Sequence, residues 1–164
     1  MKRLQLLKLI AGIVFTLMCI TLFFAYPFIF IVAVMPQQVP FTIGGIPANE
    51  LDAEHIFMML AFAVSFSFYT YALYLFKNLL GMFLKKKIFH TDVIKNLLQT
   101  GKAILIGYLI YICSGIIYVI IAKSYIGFEI SGYTLLIPML GLFFMVLGDV
   151  LLTAKTMKEN DLSV

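Results

Sequence analysis

Charge is what this sequence has least of. Only 12% of its 164 residues are charged and 63% are hydrophobic, whereas an ordinary soluble domain is about one quarter charged. A soluble fold of this length could not hide so much apolar surface. Histidine and cysteine are also scarce, with two of each. Cys19 and Cys113 both sit inside apolar runs, and neither belongs to a C-x-x-C motif. That argues against membrane thiol chemistry and for structural thiols. His55 and His90 fall on opposite sides of the membrane in the topology derived below, so they cannot share a metal or a haem. No phosphate loop or nucleophile motif is present. No acid lies in the first apolar run, where a small multidrug exporter would want one. These absences point to a chain with no enzymatic activity, no cofactor and no metal.

What is there is a set of long apolar runs. Residues 9–35, 56–76, 103–122 and 130–148 contain no Asp, Glu, Lys or Arg. A helix needs about 20 apolar residues to cross the hydrocarbon core, and all four runs reach that length. Barrel strands would alternate apolar and polar residues over about ten positions. Only residues 61–74 hint at this, through Ser65 and Ser67, so helices are expected. The first run follows a basic start, Met1-Lys-Arg, but exceeds the h-region of a signal peptide and has no clear cleavage site after it. It is expected to remain as a helix.

The basic residues orient the spans. Lys2, Arg3 and Lys8 precede the first run, and Lys77, Lys85, Lys86, Lys87, Lys95 and Lys102 fill the second connection. Lys155 and Lys158 follow the last run, while Lys123 alone lies on the other side. The first and third connections hold Glu50, Asp52, Glu54 and Glu129 instead. Both termini are therefore expected in the cytoplasm. The net charge of +4 then acts toward anionic headgroups, not toward nucleic acid.

Helices are expected over about 6–35, 54–80, 91–122 and 130–155, in one domain covering residues 1–164. Pro27 should bend the first. Residues 39–46 could form a small hairpin about Gly44-Gly45, and the third connection could pair with it. Apolar residues continue past Lys77, so either the second helix projects beyond the membrane or Lys77 snorkels. Thr91 suits an N-cap and Asp92 a first turn. With no proline before Pro138, the third helix could run unbroken from Thr91 to Ala122. That would carry it past the membrane core, into the cytoplasm.

On that helix Ile94, Leu97, Gly101, Ile104, Tyr108, Tyr111, Gly115, Tyr118 and Ala122 recur at spacings of three and four, a heptad seam. The fourth helix offers a narrow face, Thr134, Pro138, Gly141, Met145 and Gly148. Small residues allow close helix approach in lipid, so the tyrosines are expected to lie over those glycines. Bundle packing is the main reading of the seam; lining a ligand is the other. Asp149 is the one acid near membrane depth. It reads either as an interfacial carboxylate paired with Lys77 or Lys102, or as an ion site.

Two passages carry a resemblance. The segment from Ile88-Phe89-His90-Thr91 through Leu97 to Gly101, and the tail Lys158-Glu-Asn-Asp-Leu-Ser-Val164, resemble the Phe-x-Thr … Leu … Gly segment and the closing Glu-x-Asp-Leu-Thr-Ile of a family of small bacterial membrane proteins. That family is catalogued as domain of unknown function 2975. This chain departs from it at Lys87-Ile88, where members often have a proline, and at Ser163-Val164. The resemblance implies no activity. It implies a cytoplasmic helix-turn-helix regulator as neighbour, and thus a protein partner.

The expectation is an all-α membrane protein with four transmembrane helices, both termini inside, in a bacterial inner membrane. It is a four-helix bundle with anionic lipid as surroundings. Its candidate interaction face comprises Lys85, Lys86, Lys87, Phe89, Thr91, Lys95, Glu159 and Asp161. A regulatory or partner-binding role leads. The alternative is a small transporter or channel component that takes an apolar or aromatic solute at a polar site of Asp149, Tyr108, Tyr111 and Tyr118. A homo-oligomer would use the same seams.

Overall fold

The computed structural model describes residues 2–40, 42–43, 46–85, 90–122 and 132–161, with the side chains of 122, 132–133 and 159–161 outside that description. Four helices dominate: α1 Lys2–Val34, α2 Ala53–Leu84, α3 Thr91–Ala122 and α4 Gly132–Asp161. Each contains a stretch long and apolar enough to cross a membrane. The protein is an all-α, multi-pass membrane protein. A two-residue antiparallel pair, β1 Thr42–Ile43 with β2 Ile46–Pro47, closes about residues 44–45, as the Gly-Gly spacing predicts. Any pairing of that hairpin with the third connection falls on residues 123–131, outside the described set.

The helices run 33, 32, 32 and 30 residues. At about 1.5 Å per residue, each spans about 45 Å or more. Length beyond the hydrocarbon core is thus common to all four helices and is not peculiar to α3. α2 passes Lys77 without a break and ends at Leu84, where the Lys85 amide donates to the Met82 and Phe83 carbonyls. At its start the Asp52 carbonyl accepts from the His55 and Ile56 amides.

The cap of α3 differs from the expected one. The Val93 and Ile94 amides donate to the His90 carbonyl, so His90 occupies the N-cap and Thr91 already belongs to the first turn. The Thr91 hydroxyl has another use: it accepts a 2.8 Å hydrogen bond from Lys155 Nζ of α4.

Packing follows chain order. α1 lies on α2, α2 on α3, and α3 on α4, while α1 and α4 make no comparable contact. The bundle is therefore not closed on its fourth side. The tightest approach joins α3 to α4. A Cβ added at Gly101 would sit 2.5 Å from the Gly141 carbonyl oxygen and from Met145 Cγ. At Gly148 it would sit 2.9 Å from Leu98 Cδ2. The α4 glycines thus receive Gly101, Leu97, Leu98 and Leu105, and not the tyrosines. Two of those rings turn the other way, toward α2: Tyr111 stacks on Phe62 with centroids 5.2 Å apart, and Tyr118 meets His55 edge-on at 5.4 Å. The physical reason is size. An α4 surface close enough to touch backbone at Gly101 leaves no room for a phenol.

Between α2 and α3 the approach is slightly looser and is fixed by a hydrogen bond. Ser65 Oγ donates to the Gly107 carbonyl at 2.8 Å, and a Cβ at Gly107 would lie 3.1 Å from the Ser65 carbonyl. Buried seam residues of α3 include Ile94, Leu97, Ile104 and Tyr118. Leu79, Val93 and Leu97 form a compact apolar cluster at the end of the array that carries most of the lysines.

Candidate functional site

Two ends and one lateral opening are the places where chemistry could occur. At the basic end, the first turn of α3 presents His90, Thr91, Asp92 and Lys95 outward, while Val93 and Leu97 are 0% exposed on its inner side. His90 Nδ1 stands 3.0 Å from Asp92 Oδ2, with both side chains mostly in solvent, where such a pair adds little stability. The Lys155–Thr91 bond ties the late turns of α4 to this point. Of the candidate interaction face, Lys85, Thr91 and Lys95 are described and exposed. Lys86, Lys87, Phe89 and the side chains of Glu159 and Asp161 lie outside the described residues.

Asp149 is exposed on α4, beside Val146, Val150, Thr153 and Met157 in a shallow recess. Among the described residues it makes no ion pair with Lys77 or Lys102. Nor does it share a site with the tyrosines. Its neighbour Gly148 packs at the level of Leu97–Leu98, and Tyr108, Tyr111 and Tyr118 follow ten to twenty residues further along α3, about 15–30 Å away. The expected polar set is therefore split: one acid near the basic end, and three phenols toward the other. At that other end the His55 Nδ1 is buried without a hydrogen-bond partner. No group of three His, Cys, Asp or Glu side chains that could hold a metal occurs among the described residues.

The lateral opening has no signature in the sequence pattern. Where α1 fails to close on α4, a groove of about 500 Å³ is lined by all four helices, through Met18, Tyr69, Phe76, Ile104, Ile137 and Phe144. Its wall is almost wholly apolar. The Tyr69 ring lies at its edge, with its hydroxyl buried beside Ser65. Periodicity could not disclose this groove, because lipid-facing and groove-facing residues are equally apolar.

Residues 46–164 match the family described as Protein of unknown function (DUF2975). The chain belongs to that family. The matched stretch begins at β2 and takes in α2, α3 and α4; α1 precedes it. No curated protein and no solved structure matches the chain. Family membership fits the membrane architecture and supplies no reaction, ligand or partner.

Proposed function

We propose that this protein is a non-enzymatic, partner-binding protein of a bacterial inner membrane. Its basic end faces the cytoplasm, and its exposed first turns of α3, with the last turns of α4, receive a cytoplasmic protein. The observation that carries this reading is the 2.8 Å bond from Lys155 to Thr91. It joins two chain segments, 64 residues apart, into one surface. The inner side of α3 is anchored by fully buried Val93 and Leu97, so the outward lysines are held in place by a packed helix. The excess of lysine at this end supports its cytoplasmic placement. The family resemblance favours a small helix-turn-helix regulator as the partner, with the membrane protein making no nucleic-acid contact of its own. The test is co-purification of full-length protein with such a regulator. Lys95→Glu and removal of residues 158–164 should each reduce recovery at least five-fold. Undiminished recovery in both would remove this surface from the interaction.

A second reading is favoured by the lateral groove. An apolar or aromatic solute could fill the space among Met18, Phe76 and Phe144, with the Tyr69 ring as part of its wall. This moves the solute site proposed for Tyr108, Tyr111 and Tyr118 to a different phenol. Tyr69→Ala should change uptake or tolerance of such a solute several-fold, while Tyr118→Ala should not.

A further inference from the structure

The contact between α1 and α2 at the basic end is built reciprocally. A Cβ at Gly12 of α1 would lie 3.9 Å from Lys77 Cε, and a Cβ at Gly81 of α2 would lie 3.4 Å from Lys8 Nζ. Each helix therefore uses a glycine to admit the lysine of the other. Four residues along α1 correspond to four residues back along α2, the register of an antiparallel pair. The two stems lie across the interface half-buried, and Lys77 Nζ stands over the Phe15 ring at 5.1 Å. Lys8, Lys77 and Lys85, with Asn78, Gly81 and Met82, line one recess of about 370 Å³.

Nothing described balances these three charges. α1 has no acidic residue, and the one acid of α2, Glu54, is at its far end. Of the described carboxylates at the basic end, Asp92 pairs with His90 and Asp149 stands exposed on α4. None of the three lysines makes an ion pair with a described carboxylate. The carbonyl end of α2 supplies a partial negative charge of about one half, which leaves the recess strongly positive. Lys8 and Lys77, half-buried and without a described carboxylate partner, favour an anion beside the exposed Lys85, and Asn78 adds a neutral donor for a further oxygen. Three compact point charges lining one open recess suit a phosphate group.

We infer that the recess bounded by Lys8, Lys77 and Lys85 is a phosphate-binding site between α1 and α2, filled by the phosphate of an anionic lipid headgroup or by a soluble phosphate compound. The inference rests on α1 and α2 and not on the partner surface of α3 and α4, with Lys85 the one residue shared with the candidate interaction face.

Full-length protein in detergent is titrated with fluorescent phosphatidylglycerol. Unlabelled phosphatidylglycerol, phosphatidylcholine and inorganic phosphate then serve as competitors. Lys8→Gln with Lys77→Gln should weaken binding about twenty-five-fold, near five-fold for each lysine removed. Lys95→Gln with Lys102→Gln, a change of equal charge on α3, should alter it less than two-fold. Gly81→Leu, which fills the recess and keeps every charge, should weaken it too; this variant and Lys8→Gln alone keep the test valid should the double variant misfold. Competition by phosphatidylglycerol alone supports the site and assigns it to a lipid headgroup. Competition by inorganic phosphate supports it and assigns a soluble phosphate. Equal losses in the two double variants, or phosphatidylcholine competing as well as phosphatidylglycerol, would overturn the proposal.

Discussion

α1 and α3 are of nearly equal length, 33 and 32 residues, and nearly equal hydrophobic content, yet they stand in opposite situations. α1 buries only Ala11, Ile29 and Val32 and rests on a single neighbour. α3 lies between two neighbours and buries a side that runs from Val93 to Tyr118. Apolar character does not separate them, because in a bilayer lipid tails satisfy a leucine as well as another helix does. What separates them is shape. α3 has glycines where α2 and α4 come closest, at Gly107 and Gly101, whereas the one glycine of α1, Gly12, meets only the stem of Lys77. Helix association here depends on how near two backbones can come, and hydrophobicity only keeps the helices in the membrane.

Matched substitutions on the two helices test this. The largest difference is expected at Leu97, 0% exposed in the cluster with Leu79 and Val93. Leu97→Ala should cost about 3 kcal/mol through the cavity it leaves, while Leu17→Ala on the outer face of α1 should change stability by less than about 0.5 kcal/mol. Reversible unfolding in mixed micelles measures both, and equal losses would abolish the distinction. Next comes the glycine pair. Gly101→Ala forces a methyl to within 2.5 Å of a carbonyl oxygen and should cost about 2 kcal/mol. Gly12→Ala, with its nearest neighbour at 3.9 Å, should be neutral within about 0.5 kcal/mol, as read in the same assay.

Smaller effects follow from the hydrogen bonds. Ser65→Ala removes the donor to Gly107 and should cost about 0.6 kcal/mol, the average for such interhelical bonds; a loss above about 2 kcal/mol would mean that the serine also sets the helix spacing. The smallest change is expected for Thr91→Val. Its bond to Lys155 is exposed, so the global effect should stay below about 0.5 kcal/mol. Amide hydrogen exchange in the last turns of α4 should nonetheless quicken locally. Unchanged exchange there would show that the bond does not tie α4 to the start of α3.

Several features are legible in the sequence alone. The four helices follow from uncharged runs of nineteen residues or more, and the hairpin follows from Gly44-Gly45. The seam on α3 is visible as spacings of three and four, and its buried members Ile94, Leu97, Ile104 and Tyr118 bear out that periodicity. Its division between two partners is not visible. Tyr111 and Tyr118 face α2, whereas Gly101 faces α4, and one heptad pattern describes both because consecutive seam positions drift around a straight helix. Thr91 suits a cap by type, since Ser and Thr favour that position; the histidine before it holds the cap, and Lys155 engages the threonine instead.

Composition and periodicity by themselves determined a chain that must live in a membrane as long helices. The reason is that about 20 uncharged residues have no other place to go and no other way to satisfy their backbone. Tertiary structure alone decided which faces meet. It left α1 apart from α4, opened the groove beside Tyr69, and brought Lys8 to Gly81 and Lys77 to Gly12. Those outcomes rest on the clearance between particular side chains and backbones, a quantity that no count of apolar or basic residues contains.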